Sequence, residues 1–103
     1  MLEQKYDYCI ENILGSKARI KILKILAFHI ELSITSIISK TKLNHTIVLK
    51  HLDILKNNDL IQEKNYGRIR IFRYKTENIR ARSLKKFIEI WESKIGLNET
   101  KLF

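Results

Sequence analysis

The sequence has no proline, only three glycines and a single cysteine among its 103 residues. Without proline-rich or glycine-rich segments no flexible linker is expected, so we predict one domain over residues 1–103. One cysteine excludes a disulfide scaffold and a four-thiolate zinc site, and it favours a reducing compartment. No apolar run approaches the roughly 18 residues of a membrane span, and the first five residues do not resemble the start of a signal peptide. These absences predict a cytoplasmic protein.

Acidic residues are also few, and the basic excess is concentrated in one segment. The chain has 20 Lys and Arg against 11 Asp and Glu, a formal net charge of +9. Residues 64–86 hold nine of the basic residues and one acidic residue, Glu77. Such a segment is typical of proteins that bind a polyanion. A surface that serves solubility alone is the alternative, although the rest of the chain mixes the two signs.

Apolar spacing and capping residues predict five helices and one hairpin. The predicted helices span residues 3–14, 17–28, 34–40, 45–57 and 77–95, and the predicted strands span 60–66 and 69–75. Ser16, Ser33 and Asn44 are the predicted N-caps, and Gly15 is predicted to end the first helix. Gly67 is expected to supply the positive φ of the hairpin turn.

This order of elements is typical of a mainly α winged helix-turn-helix fold with a small β-hairpin. In the hairpin we expect Phe72 and Tyr74 to face the core and Ile71 to meet the terminal helices. Leu32 is expected to form a one-residue strand bridge just before the third helix.

The segment from Leu14 to about Thr76 resembles the ArsR-type winged helix-turn-helix transcription regulators. Residues 19–26 (Arg-Ile-Lys-Ile-Leu-Lys-Ile-Leu) match the family's Arg-Leu-x-Ile-Leu-x-x-Leu helix, and residues 46–55 look like its recognition helix, including His51-Leu52-x-x-Leu55. Asp59-Leu60-Ile61 stands where the family has Gly-Leu-Val or Gly-Leu-Ile. The resemblance implies a homodimer that binds double-stranded DNA.

The chain also departs from the family at several positions. Lys42 and Asp59 stand where the family often has Gly, and we expect Asn58 to take the left-handed conformation at the second of these sites. Leu49 replaces a Ser that is common in the recognition helix. The residues that could bind a metal are scattered in sequence (Cys9, His29, His45 and His51). We therefore predict no metal site and no cofactor.

The predicted recognition helix enters the major groove with its N-terminal residues toward the bases. Its candidate DNA-binding residues are Asn44, His45, Thr46, Leu49 and Lys50. Thr46 suits a base edge or a phosphate, Lys50 suits guanine or a phosphate, and Leu49 suits a thymine methyl group. The alternative is a polar, solvated helix face. Asp53 either faces away from the phosphates or approaches a cytosine amine.

The predicted wing supplies a second set of candidate DNA contacts. These residues are Lys64, Arg68, Arg70, Arg73 and Lys75. Arg68 and Arg70 are expected at the hairpin tip, where they would enter a minor groove or grip its phosphates. Protection of an edge strand by positive charge is the alternative.

Both terminal helices carry an apolar stripe, which predicts dimerisation helices at residues 1–14 and 77–97 around a winged-helix body at 16–76. The candidate interface residues are Tyr6, Ile10, Ile13, Leu84, Phe87, Ile88, Trp91 and Ile95. The alternative is that both helices fold back on their own body. Cys9 is expected to pack as a small apolar residue, and His51 is expected at the edge of the core, bonded to backbone.

Together these patterns predict a homodimeric, sequence-specific DNA-binding transcription regulator associated with the nucleoid. The sequence has no phosphate-cradling glycine loop, no paired carboxylates in an apolar setting and no His-x-x-x-His, so we predict that it is not an enzyme. The alternatives are an architectural protein that coats DNA with little sequence preference and a winged-helix module for protein–protein contact. No small-molecule effector is indicated by the sequence.

Overall fold

The computed structural model describes residues 9–93. Within this range the chain forms five helices and three strands, which are α1 (Glu11–Leu14), α2 (Lys17–His29), β1 (Glu31–Ser33), α3 (Ile34–Thr41), α4 (His45–Asn57), β2 (Ile61–Tyr66), β3 (Ile69–Tyr74) and α5 (Ile79–Glu92). The strands form one antiparallel sheet in the order β1-β3-β2. The predicted mainly α winged helix-turn-helix fold is confirmed. The single bridge expected at Leu32 is instead a three-residue strand that pairs with β3.

Helix starts follow the predicted capping residues. The side chains of Ser16, Ser33 and Asn44 each accept a hydrogen bond from a backbone N–H in the first turn of the next helix. The last helix begins at Ile79 rather than at residue 77, because Asn78 Oδ1 accepts from both Arg80 N and Ala81 N. Residues 3–8 and 94–95, which were also predicted to be helical, lie outside the described residues.

The core lies between α2, the helix-turn-helix and the sheet. Its fully buried side chains include Leu23 and Leu26 from α2, Leu52 from α4, and Phe72 and Tyr74 from β3. The inward orientation predicted for Phe72 and Tyr74 is confirmed. The placement predicted for Ile71 is wrong, because successive strand residues point to opposite faces. Ile71 lines a shallow groove with Tyr66 and β1.

The last helix is attached to the sheet through a buried polar contact. The Tyr74 hydroxyl donates to the Ala81 carbonyl oxygen over 2.5 Å, and both residues are fully buried. Burial raises the pKa of Tyr74, so the hydroxyl keeps its proton at neutral pH. The contact fixes the first turn of α5 against β3.

Two residues that stand where the family that the chain resembles often has Gly take the left-handed conformation here. Lys42 has φ 63° at the end of α3, and Asp59 has φ 63° after α4. The expectation that Asn58 would take this conformation is wrong, since its φ is −93°. The left-handed residue is Asp59 because the Asn58 N–H still bonds to the Ile54 carbonyl and continues the helical pattern. Gly67 has the predicted positive φ, 62°.

Candidate nucleic-acid interface

The buried side chain of Thr41 stabilises the turn between α3 and α4. Its buried hydroxyl donates to the Ile37 carbonyl over 2.7 Å and accepts from the Leu43 N–H over 3.3 Å. The left-handed backbone at Lys42 then reverses the chain. These contacts set the angle at which α4 leaves the body.

Helix α4 has one apolar face and one polar face, as the sequence predicted. Val48, Leu52 and Leu55 are buried, whereas His45, Thr46 and Lys50 are exposed and Leu49 is half-buried. Asn44 accepts a hydrogen bond from Ile47 N through Oδ1 at 2.9 Å, so this oxygen is committed to the cap. The positive end of the helix dipole lies at the same end as His45 and Thr46, and it favours an anion there.

Two lysines that precede this helix in the chain were not among the predicted DNA contacts. Lys40 in the last turn of α3 and Lys42 in the turn are both exposed. Neither forms an ion pair with any residue in the range 9–93. Both lysines lie outside the strongly basic segment 64–86, so the distribution of charge along the sequence did not identify them as candidate contacts. The position of Lys42 in the turn of the helix-turn-helix was the sequence feature that could have identified it.

The wing is the hairpin of β2 and β3, in which Tyr66 pairs with Ile69 around Gly67 and Arg68. Arg68 is exposed at the tip and has no ion pair within the described part of the chain. Arg70 does not lie at the tip as expected, because it lies within β3 opposite Asn65. The tip therefore has one arginine, Arg68, rather than the two that the sequence indicated.

Arg70 forms a two-point ion pair with Glu63. Its Nε and Nη2 donate to the two carboxylate oxygens over 2.6 and 3.1 Å, and the guanidinium carbon lies 5.6 Å from the centre of the Phe72 ring. Lys56, in the last turn of α4, donates to the same carboxylate over 2.8 Å. The bonds from Arg70 and then Lys56 lower the pKa of Glu63 to about 2.

The other three residues of the predicted wing and basic track are also paired with acidic residues. Lys64 lies 3.4 Å from Glu31, and Lys75 lies 2.5 Å from Asp59. Arg73 donates to both oxygens of Glu77 and lowers the pKa of that carboxyl group to about 2. The counter-charges come mostly from outside the segment 64–86. The field of this segment is therefore weaker than its count of basic residues implies.

His51 is buried, as expected for a histidine at the edge of the core, but its bond is to a side chain. Its Nδ1 accepts from Arg19 Nε over 3.2 Å. Burial, together with the charges of Arg19 and Lys50, lowers the pKa of His51 below 6.5. Cys9 is exposed, so the packed position expected for it is wrong.

No three His, Cys, Asp or Glu side chains within residues 9–93 come together in a way that could hold a metal ion. The same range contains no helix with the length and apolar character needed to span a membrane.

The predicted dimerisation residues divide into two groups. Ile13 is buried in the core, and Leu84 and Ile88 pack against it. Ile10, Phe87 and Trp91 are 58%, 52% and 70% exposed. Tyr6 and Ile95 lie outside the described residues. Two more apolar residues of α5, Ile79 and Ile90, are exposed but were not among the predicted interface residues.

Three of the exposed apolar side chains, those of Ile10, Ile79 and Phe87, line a groove between α1 and α5. It has a volume of about 430 Å³ and is lined by residues that include Ile10, Leu14, Ile79, Leu84 and Phe87. Phe87 and Trp91 lie side by side, with their ring centres 5.8 Å apart. An apolar surface of this kind is typical of an interaction site.

Comparisons with known proteins agree with this geometry. Residues 16–63 match the family model described as "Bacterial regulatory protein, arsR family". No match is found among the curated proteins. Nine solved chains match in structure.

Three of these structures illustrate the likeness. HlyU from Vibrio cholerae has a TM-score of 0.73 at 15% identity, over 90% of this chain and 97% of its own. A possible transcriptional regulatory protein from Mycobacterium bovis has a TM-score of 0.68 at 20% identity, over 90% and 96%. The transcriptional repressor PagR of Bacillus anthracis has a TM-score of 0.67 at 21% identity, over 84% and 97%.

The matched segment 16–63 runs from the cap of α2 into β2, so it contains the whole helix-turn-helix. The solved structures share the fold across most of both chains. Proteins of this class regulate transcription by binding DNA and are not enzymes. Residues 16–63 therefore have the sequence pattern of the arsR family of bacterial regulatory proteins, and the described chain has the winged helix-turn-helix fold of the solved regulators.

Proposed function

We propose that the protein is a homodimeric regulator that recognises a specific double-stranded DNA sequence with α4 in the major groove. The polar outer face of α4 is the observation that carries this proposal. His45, Thr46 and Lys50 are exposed there, at the helix end whose dipole favours phosphate. A helix of this kind fits the major groove with its N-terminal turns against the base edges.

The residues of this face have distinct proposed roles. Thr46 and Lys50 donate to base edges or phosphates, and half-buried Leu49 contacts a thymine methyl group. Asn44 shapes the start of the helix through its cap, and His45 lies beside it at the phosphate backbone. The analogous interpretation of Asp53 as a contact to cytosine is weaker, since this carboxylate has Lys56 within 3.9 Å.

Phosphate contacts position the protein on the duplex. Lys40, Lys42 and Arg68 are proposed for this role because they are exposed and lack ion pairs within residues 9–93. Arg68, at the tip of the wing, reaches the minor groove or its rim. The paired members of the basic track, which are Lys64, Arg70, Arg73 and Lys75, add to the local field rather than making contacts of their own.

The proposed dimer uses the exposed apolar face of α5 together with α1. Ile10, Phe87 and Trp91 would lie at its centre, with Tyr6 and Ile95 extending it. On this division residues 1–14 and 77–97 are the dimerisation segments and residues 16–76 are the DNA-binding body. A two-fold dimer presents its two recognition helices to successive major grooves, which predicts an inverted repeat with half-sites about 10 bp apart.

Selection of bound sequences from random DNA tests this proposal. It is expected to recover an inverted repeat, and Lys50→Ala is expected to relax one or two positions of each half-site, each worth about 1–3 kcal/mol. Lys21→Ala is the matched control. Lys21 is exposed on α2 two residues from Arg19, so it points away from α4. Recovery of no motif would contradict the proposal and favour an architectural protein that coats DNA.

A further inference from the structure

Glu63 connects the wing to the recognition helix. Its carboxylate accepts two hydrogen bonds from Arg70 of β3 and one from Lys56 of α4. The Glu63 side chain is only 12% exposed, while the Arg70 and Lys56 side chains are 38% and 33% exposed. The two cations therefore reach the surface at the junction of the two elements that are proposed to contact DNA.

Both cationic groups are held in a fixed direction. Arg70 binds the carboxylate at two points and lies over the Phe72 ring, which restrains the guanidinium in the plane of the pair. Lys56 has a second carboxylate, Asp53, at 3.9 Å. Glu63 thus occupies Nε and Nη2 of Arg70 and one N–H of Lys56, and its carboxylate offsets part of their positive charge.

We propose that Glu63 withholds Arg70 and Lys56 from the DNA backbone and thereby determines how strongly the protein prefers its own sequence over random DNA. This inference rests on the proposed function. Binding to random DNA depends almost entirely on Lys and Arg contacts with phosphates, whereas base-edge contacts supply the preference for one sequence. A carboxylate that binds two cations beside the interface lowers the contribution of phosphate contacts. It leaves the base-edge contacts of Thr46 and Lys50 unaffected.

The test compares wild-type protein with Glu63→Gln on two duplexes, the best selected sequence and a random sequence, from 50 to 200 mM salt. Each cation that gains a phosphate makes the fall in affinity over this range about 3.5-fold larger, from a slope of about −0.9 per contact. Glu63→Gln is therefore expected to bind random DNA more tightly at 50 mM salt, with a steeper slope. Its affinity for the selected sequence should rise less, because base-edge contacts fix the position of the protein there and leave the released cations fewer phosphates within reach, so the ratio of the two affinities falls.

Glu77→Gln is the matched control, because it makes the same change in net charge and also breaks a two-point pair with an arginine. That arginine, Arg73, lies near the end of β3 that is remote from the turn. In the control, the salt dependence of the affinity for random DNA is expected to differ from that of the wild type by less than one phosphate contact. An equal increase in both variants would contradict the proposal, since it would show an effect of net charge alone.

The double variant Glu63→Gln/Arg70→Gln keeps the net charge of the wild type and removes one of the two released cations. Its random-DNA slope is expected to lie between those of the wild type and Glu63→Gln, and the comparison with the wild type stands even if the single variant is too unstable to assay. An unchanged or weaker affinity of Glu63→Gln for random DNA, or a double variant with no steeper slope than wild type, would overturn the proposal. A wild-type protein that does not bind DNA would instead contradict the proposed function itself.

Discussion

Arg19 of α2 donates from Nε to Nδ1 of His51 on the recognition helix, over 3.2 Å. A permanently charged guanidinium can donate only to an imidazole nitrogen that carries no proton, so the contact requires neutral His51. Arg19 also donates to the Asn12 carbonyl oxygen in α1. The side chain thus joins α1, α2 and α4, and its geometry depends on the protonation state of His51.

The stability of the protein is expected to fall as the pH drops from about 7.5 to 5.5. The pKa of His51 is lowered in the folded state, chiefly by burial, so the unfolded chain takes up a proton that the folded chain does not. The free energy of unfolding therefore decreases as the pH falls through the unfolded value of about 6.5. Thermal melting of His51→Gln should show a shallower dependence in this range, while the exposed His29→Gln should match wild type. Equal slopes for wild type and His51→Gln would contradict the assignment.

Replacing Lys42 by Gly is expected to stabilise the protein. Lys42 has φ 63°, where a Cβ atom is unfavourable, and glycine relieves that strain for a gain of about 0.5–1 kcal/mol. Urea unfolding measures the change. Lys42→Ala is the control, since it removes the charge and keeps the Cβ atom. Both variants should lose the same phosphate contact, so an equal salt slope with unequal stability is the expected result. No difference in stability between them would contradict the argument from backbone strain.

The double change Phe87→Lys/Trp91→Lys is expected to give monomers. The two side chains are 52% and 70% exposed on the face proposed for dimerisation, and burying a charged group there is costly. Light scattering reports the mass, and DNA binding should weaken because one recognition helix then acts alone. Thr35→Lys/Ser39→Lys adds the same charge at exposed positions of α3 and should leave the dimer intact. A dimer that survives the first pair of changes would exclude this face.

Removing the Tyr74 hydroxyl is expected to lower stability by about 1–2 kcal/mol. This group is fully buried and donates to the Ala81 carbonyl oxygen, and loss of a buried hydrogen bond has a cost of this size. Chemical denaturation of Tyr74→Phe measures the effect. Tyr66→Phe removes an equivalent hydroxyl from a side chain that is 61% exposed, and it should change stability by less than about 0.5 kcal/mol. Equal losses in the two variants would rule out the contact as the link that fixes α5.

Local patterns in the sequence were sufficient for the helix-turn-helix. The caps at Ser16, Ser33 and Asn44 and the apolar stripe of α4 involve residues three or four apart, so they can be identified without knowledge of the fold. Lys42 and Asp59 show the limit of this reasoning, because glycine preference depends on the turn that the chain adopts there. The choice of Asp59 over Asn58 as the left-handed residue depended on where the last helical hydrogen bond formed.

The charge of the wing was harder to predict because its counter-ions come from other elements. Glu31 is more than 30 residues from Lys64 in sequence, and Asp59 reaches Lys75 only after the chain has passed through the whole hairpin. The Glu63–Arg70 pair had a usable signal. Pairing of Asn65 with Arg70 puts Glu63 diagonally opposite Arg70 on the same face of the hairpin.

The most direct test of the account is the ratio of the affinities for the best selected DNA sequence and for random DNA, measured at one salt concentration. Contacts from Thr46, Leu49 and Lys50 to base edges predict a ratio of about 10³ or more. A ratio below about tenfold would contradict sequence-specific regulation and would show that the protein binds DNA only through contacts with the DNA phosphates.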